Sequence, residues 1–179
     1  WFISMEKNNL RDIALKSIDE TIFYPPQGQT RLRSMIETRP DWCVSRQRVW
    51  GVPLPLFVSK KTGQPLRDEN IINRIADIYE KEGSNTWFTE DPQRFLGDEY
   101  SIDDYEQVKD VVEVWFDSGS THAFCLEQRE DLKWPASMYL EGSDQHRGWF
   151  HSSLLESSGT RGKAPYESVL THGFVVDGR

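Results

Sequence analysis

Met138-Tyr-Leu-Glu-Gly-Ser-Asp-Gln-His-Arg-Gly-Trp-Phe-His-Ser-Ser-Leu-Leu155 is the stretch that decides the fold of this chain. Its pattern predicts a short strand over Met138–Leu140, an abrupt turn and a helix from about Gln145 to Ser157. Another strand is predicted over Ser168–His172. A strand, a helix and a strand at this spacing predict a βαβ unit with parallel strands. The fold class is therefore α/β.

The turn in this stretch, Glu141-Gly142-Ser143-Asp144-Gln145, concentrates polar groups between the strand and the helix. In open α/β sheets, ligands bind beyond the carboxyl ends of strands and against helix N-termini. Ionised carboxylates accept hydrogen bonds, so they suit ribose hydroxyls or an α-ammonium group, and Gly142 permits a close approach to the backbone. The alternative is that Ser143 or Asp144 only caps the helix while Glu141 is solvated.

Two other segments place polar or aromatic residues where a strand is predicted to end. Val111–Phe116 reads as a strand, so Trp115 and Phe116 would point to opposite faces, one of them towards a ligand. The alternative is a buried strand with a capping Asp117. In Thr171-His172-Gly173-Phe174 the His and Gly fit a nucleotide edge, although a lone His is more often structural. On the predicted helix, Trp149 either walls a pocket or packs in the core.

The remaining elements are less regular. The residue pattern predicts strands over Trp1–Met5 and Val52–Val58, and helices over Leu10–Ile18, Thr30–Ile36 and Asp68–Tyr79.

Charge is unevenly distributed in this chain of 179 residues and net charge −8. Between Gln29 and Arg48 five Arg face one Glu and one Asp, whereas between Glu80 and Asp131 fifteen acids face four bases. The net acidity argues against nucleic-acid binding by bulk electrostatics alone. The basic stretch, which continues into a loop rich in Arg and Trp, can meet phosphate, and the acidic stretch indicates a solvated face.

The cysteines and histidines give little support for a metal site. Cys43 and Cys125 are far apart and form no CxxC pattern, which disfavours a disulfide scaffold and a cysteine zinc site and fits a cytosolic compartment. One remaining hypothesis is a metal-dependent hydrolase, for which the candidate ligands are His122, Asp144, His146 and His172. We expect no metal site, because there is no HExxH motif and no i, i+4 His pair. No apolar run reaches membrane-spanning length.

Four segments together resemble the isoleucyl-tRNA synthetase family of class I aminoacyl-tRNA synthetases, bacterial type. They are Arg-Pro-Asp-Trp-Cys-Val-Ser-Arg-Gln-Arg-Val-Trp-Gly-Val-Pro (39–53), Val-Trp-Phe-Asp-Ser-Gly (114–119), Tyr-Leu-Glu-Gly-Ser-Asp-Gln-His-Arg-Gly-Trp-Phe (139–150) and Thr-His-Gly-Phe-Val-Val-Asp-Gly (171–178). Their order is that of the family, and the resemblance runs through essentially the whole chain. Families specific for valine and leucine share the Asp-Trp-x-x-Ser-Arg-Gln theme, but the second and third segments resemble the isoleucine branch.

The resemblance implies a role for each candidate residue in binding isoleucyl-adenylate. Glu141, Gly142 and Asp144 would face the ribose and the adenylate, and Gln145 would lie near the aminoacyl part. Trp115 and Trp149 would line the apolar side-chain pocket. The adenine side would be bordered by His172, Gly173 and Phe174. No residue is expected to act as a catalytic nucleophile.

The resemblance also implies an internal piece of a longer enzyme, the second half of a Rossmann-type parallel-sheet nucleotide-binding fold with a small mixed β/α insertion. Residues 1–50 would leave the editing domain and return to the catalytic core, 51–110 would form the insertion, and 111–179 would complete the Rossmann-type domain. His-Ile-Gly-His-type and Lys-Met-Ser-Lys-Ser motifs are expected outside the chain. The fragment itself is expected to be inactive.

For the full-length protein the resemblance implies isoleucine, ATP with Mg²⁺ and tRNA(Ile) as partners, a monomeric state, a cytoplasmic location and zinc only elsewhere. The other alternative that stays open is a non-catalytic nucleotide- or tRNA-binding module.

Overall fold

The computed structural model describes residues 1–178 and divides the chain into two compact units. The first unit combines Trp1–Val44 with the residues from Val114 onward, and the second unit is Ser45–Glu113. The predicted insertion, 51–110, lies inside the second unit.

Short strands alternate with helices along the chain. The strands are β1 (Phe2–Ile3), β2 (Ile22–Tyr24), β3 (Trp42–Cys43), β4 (Ser45–Arg46), β5 (Phe57–Ser59), β6 (Tyr105–Gln107), β7 (Val111–Val112), β8 (Tyr139–Gly142) and β9 (Ser168–His172). The α-helices are α1 (Leu10–Glu20), α2 (Gln27–Glu37), α3 (Glu69–Glu82), α4 (Thr86–Thr89), α5 (Gln93–Leu96), α6 (Val114–Gly119) and α7 (Trp149–Arg161). The 3₁₀ turns are Lys7–Asn9 and Ser143–His146, and His122–Leu126 is a π-helical turn.

A parallel sheet with the strand order β2-β9-β8 organises the first unit. Phe23 pairs with Val169, and Val169 pairs with Tyr139 on its other side. The parallel pairing confirms the predicted βαβ unit, with β8 and β9 joined through α7. Because all three strands run in one direction, their carboxyl ends meet at one edge of the sheet, which we call the carboxyl edge. At this edge β2 ends at Tyr24, β8 at Gly142 and β9 at His172.

Helices pack against this sheet through apolar faces. In α1 the buried residues include Leu10, Ala14 and Ile18, which confirms the predicted helix and its apolar stripe. In α7 every residue from Phe150 to Ser158 is buried, and several of them are serines. Burial on all sides identifies α7 as the central helix of the unit.

The second unit has its own apolar core. It consists of antiparallel pairs, β4 with β7 and β5 with β6, and of helices α3 to α5. Asp68 caps α3 by accepting a hydrogen bond from the Asn70 N–H at 2.9 Å. The buried residues of this core are Phe57, Ile71, Ile75, Trp87, Phe95 and Leu96.

Three sequence-based predictions about local structure were wrong, and one strand was missed. The run 111–116 is not one strand, because β7 ends at Val112 and α6 begins at Val114. The helix predicted from Gln145 is interrupted, since a 3₁₀ turn ends at His146 and α7 begins only at Trp149. The strand predicted over Val52–Val58 begins only at Phe57, as β5, and strand β2 was not predicted at all.

None of the helices within residues 1–178 is long and apolar enough to cross a membrane.

Candidate ligand-binding site at the carboxyl edge

The carboxyl edge gathers the residues predicted for the nucleotide side of the site. Glu141 pairs with Thr171 and Gly142 pairs with His172, so the ends of β8 and β9 lie side by side. Asp144 and Gln145 belong to the 3₁₀ turn directly after β8, and Gly173 and Phe174 directly follow β9. The side chains of Glu141, Asp144, His172 and Phe174 are exposed at this edge.

Gly142 lets a carboxylate fold back over the end of β8. A Cβ atom at Gly142 would lie 2.6 Å from Asp144 Oδ1 and 3.8 Å from His172 Cε1. The first distance is too short for any side chain, so only glycine allows Asp144 its position. The result is a compact polar group formed by Gly142, Asp144 and His172.

His172 has a defined donor and acceptor nitrogen. Its Nδ1 lies 2.6 Å from the carbonyl oxygen of Gly173. A carbonyl only accepts hydrogen bonds, so Nδ1 carries the proton and donates. In the neutral ring, Nε2 is therefore the acceptor. A ligand group that donates a hydrogen bond, such as an adenine amino group or a ribose hydroxyl, suits this nitrogen.

The side-chain amide of Gln145 organises the start of α7. Gln145 Oε1 accepts a hydrogen bond from the Trp149 N–H at 3.0 Å, and its Nε2 donates to Asp144 Oδ2 at 3.3 Å. Ser143 and Asp144 make no capping bond in the structure, so the capping alternative for them was wrong. The capping function belongs to Gln145, which at the same time fixes the orientation of its amide beside Asp144.

Trp149 is held from two sides at the first residue of α7. Its ring stacks on Tyr139 with a centroid distance of 4.0 Å and an interplanar angle of 5°, and its Nε1 donates to the Ser118 carbonyl at 3.0 Å. The side chain is partly buried against the core of the first unit. It is thus a rigid wall rather than a mobile side chain.

Trp115 lies on α6, close to the start of α7. A Cβ atom at Gly148 would lie only 2.8 Å from Trp115 Cη2, so the ring packs directly on this glycine. Trp115 remains 41% exposed, whereas its neighbour Phe116 contacts Trp42 in the core. The two side chains do diverge, but from a helical turn and not from the strand that we predicted.

Burial disfavours the charged form of the other histidines. It lowers the pKa of His151 to about 3 and also lowers the pKa of His122 and of His146. Among residues 1–178, no group of three His, Cys, Asp or Glu side chains is arranged to hold a metal ion. The set of His122, Asp144, His146 and His172 is therefore not a metal centre, and the hydrolase hypothesis was wrong on this point.

Within the described residues neither Cys43 nor Cys125 forms a disulfide.

Sequence reasoning missed three residues that contact His146 or Trp149 beside this edge. They are Gly28 at the start of α2, Ser118 on α6 and Tyr139 on β8. Ser118 and Tyr139 lie within segments that carry the family resemblance, but the sequence analysis assigned no role to either of them or to Gly28.

Comparison with known proteins identifies the family of this chain. A family model described as tRNA synthetases class I (I, L, M and V) matches residues 1–179. The chain therefore belongs to the class I tRNA synthetase family.

Within that family, curated isoleucine–tRNA ligases are similar to this chain. The one from Pelagibacter ubique is 72% identical over 179 residues, which are 100% of this chain and 20% of the relative. The one from Brucella abortus is 60% identical and the one from Zymomonas mobilis 53%, each over 99% of this chain. The chain thus spans about a fifth of the length of these relatives.

Proposed function

We propose that this chain is the part of an isoleucine–tRNA ligase that binds isoleucyl-adenylate, as the second half of a Rossmann-type catalytic domain. The observation that carries the proposal is the carboxyl edge itself. There, the ends of two parallel strands and the turn after β8 place Glu141, Asp144 and His172 around Gly142, whose missing side chain leaves room for the Asp144 carboxylate. Family membership and the names of the relatives support the choice of isoleucine.

The polar residues of the edge are assigned to the nucleotide and the amino group. Glu141, Gly142 and Asp144 face the ribose and the adenylate, because carboxylates accept hydrogen bonds from hydroxyl and ammonium groups. Gln145 lies near the aminoacyl part. His172, Gly173 and Phe174 border the adenine, and the exposed ring of Phe174 offers it a stacking face.

The aromatic residues are assigned to the isoleucine side chain. Trp149 is immobilised by Tyr139 and by Ser118, and Trp115 exposes part of its ring beside Gly148. Together they offer rigid apolar surface to a branched aliphatic group.

The proposed chemistry is positional and electrostatic. The carboxylate of isoleucine attacks the α-phosphorus of ATP, a new P–O bond forms, and pyrophosphate leaves with the electrons of the broken P–O bond. No side chain of this segment becomes covalently attached, and residues at the edge contribute by holding the reacting groups in place.

We assign no resident metal to this segment, since its described residues offer no three-ligand group. Mg²⁺ belongs with ATP as substrate in the full-length protein, and a zinc site, where present, lies elsewhere in it.

In the full-length protein the activated isoleucine is transferred to tRNA(Ile). We further propose that the protein is monomeric and cytoplasmic and that residues 1–50 connect an editing domain to the catalytic core.

Asp144→Ala in the full-length protein tests the assignment. Loss of one charge-assisted hydrogen bond of about 1.5–3 kcal/mol should lower the rate of isoleucine-dependent ATP–pyrophosphate exchange at least about ten-fold. The matched control is Asp131→Ala, because Asp131 is an exposed aspartate whose carboxylate pairs with Arg129. The control should retain wild-type exchange, and both variants should unfold at the wild-type temperature within a few degrees.

Unchanged exchange in the Asp144 variant would refute the site assignment. A wild-type protein that binds adenosine nucleotides but shows no isoleucine-dependent exchange would instead favour a non-catalytic nucleotide-binding module.

A further inference from the structure

His146 is a buried polar side chain that the proposed site does not use. It closes the 3₁₀ turn after β8, with 2% of its surface exposed. Its ring packs edge-on against Phe150, with the centroids 5.5 Å apart. His146 Nε2 is buried and has no hydrogen-bond partner in the structure. A buried imidazole nitrogen without a hydrogen-bond partner is destabilising, so we expect His146 to have a role that compensates for this cost.

The other ring nitrogen holds the turn that carries the site. His146 Nδ1 lies 2.8 Å from the carbonyl oxygen of Ser143. Because a carbonyl only accepts, Nδ1 is the donor and the neutral ring has its proton there. Burial lowers the pKa of His146 by more than the Ser143 hydrogen bond raises it, and the nearby Arg31 acts in the direction of burial, which favours this neutral form. The bond spans Asp144 and Gln145, so it fixes the backbone of both residues.

Nε2 faces the beginning of α2. A Cβ atom at Gly28 would lie 2.7 Å from His146 Nε2 and 3.2 Å from Phe23 Cδ1. The imidazole therefore fills the space that the missing side chain of Gly28 leaves. Gly28 lies in the first turn of α2, which follows β2, and the Ser143–His146 turn follows directly on the end of β8. The ring thus joins the start of α2 to the turn after β8, and these two segments follow the two outer strands of the sheet at the carboxyl edge.

We propose that His146 is a positioning residue, which wedges the Ser143–His146 turn against Gly28 and thereby holds Asp144 and Gln145 in the orientation that binds the aminoacyl-adenylate. This inference rests on the proposed function. The residue touches no substrate; it acts through the backbone of the turn and through the glycine beneath it.

Two variants of the full-length protein separate positioning from simple packing. In His146→Asn the amide nitrogen occupies the place of Nδ1 and keeps a donor for the Ser143 carbonyl. In His146→Gln the longer side chain puts its amide at the place of Nε2 and loses that bond. The two side chains are alike in polarity, so they form a matched pair. A third variant, Gly28→Ala, leaves the imidazole intact but displaces it with a methyl group.

The measurement is isoleucine-dependent ATP–pyrophosphate exchange per active site, with active sites counted by titration of the adenylate formed. We expect kcat/KM for isoleucine to stay within about three-fold of wild type in His146→Asn. It should fall about ten-fold or more in His146→Gln and in Gly28→Ala, since small displacements of positioning groups have effects of this size. Thermal unfolding of each variant is measured alongside.

A purely structural role predicts another result. All variants would then unfold at lower temperature, while kcat/KM per active site would stay at the wild-type value. That result, or equal losses in the Asn and Gln variants, overturns the proposal. If His146→Gln fails to fold, Gly28→Ala with normal kcat/KM overturns it equally. A wild-type protein without isoleucine-dependent exchange refutes the proposed function instead.

Discussion

The buried imidazole of His151 ties the stability of the fold to pH. His151 lies on α7, is 4% exposed, and both of its ring nitrogens are buried. Burial lowers its pKa to about 3, and the positive charge of Arg39 acts in the same direction. In the unfolded chain the pKa returns to its ordinary value of about 6.5. Between these two values the unfolded state binds the proton and the folded state does not.

The free energy of unfolding should therefore fall as the pH is lowered from about 6.5 towards 3, and it should be insensitive to His151 above that range. Full protonation of one group in the unfolded state alone gives a slope of about 1.4 kcal/mol per pH unit. Denaturant unfolding at several pH values checks this with His151→Leu as the comparison. The slope in the Leu variant should be smaller by up to that amount. Equal slopes in the two proteins would contradict the assigned pKa.

Close packing of α6 on α7 depends on a glycine at the contact. A Cβ atom at Gly119 would lie 2.9 Å from Glu156 Cδ and 3.0 Å from the backbone carbonyl carbon of Ser152. Gly119→Ala should destabilise the protein by about 1–3 kcal/mol, because neither buried neighbour has room to move. Gly159→Ala on α7 is the control, since its methyl group would meet only Leu10 at 3.5 Å. Helix propensity predicts a gain of about 0.5–1 kcal/mol there. Similar unfolding temperatures for the two variants would refute the packing argument.

The packing of α6 on α7 also explains why the strand predicted over 111–116 was wrong. Val111-Val112-Glu113-Val114-Trp115-Phe116 is a short apolar run, in which periodicity cannot separate strand from helix. The residues turn into α6 because Gly119 and Ser118 contact α7 and Trp149, which lie far along the chain. The βαβ unit and the polar edge were predictable, since Glu141 to Gln145 combine a local turn with local chemistry.

Elements that depend on distant partners were not predictable. Strand β2 has three residues, and only pairing with Ser168–Leu170 makes it part of the sheet. The contact between Gly28 and His146 likewise joins segments that no local pattern connects. The sequence thus indicated candidate residues by their local chemistry, whereas it did not indicate the residues that contact them from distant segments.

At the scale of the whole molecule, two apolar cores share no residue. The first unit is built around α7 and the parallel sheet, and the second around Trp87. Trp87 is fully buried, contacts the rings of Phe57 and Phe95, and donates from its Nε1 to the Val108 carbonyl at 2.7 Å. Removing it should cost about 3–5 kcal/mol. Because the cores are separate, we expect this loss to be confined largely to the second unit.

Hydrogen exchange on the full-length protein measures, amide by amide, whether the loss of stability is confined to the second unit. In Trp87→Ala, protection should drop across β5 and β6, while the amides of β8 and β9 keep theirs. The reciprocal variant is Leu154→Ala, which removes a fully buried side chain of α7 at a cost of about 2–5 kcal/mol. It should lower protection in β8 and β9 and spare the second unit. If either variant lowers protection equally in both places, the two cores unfold as one cooperative body, and the carboxyl edge depends on the second unit for its stability. If each variant lowers protection only in its own unit, the parallel sheet alone maintains the carboxyl edge.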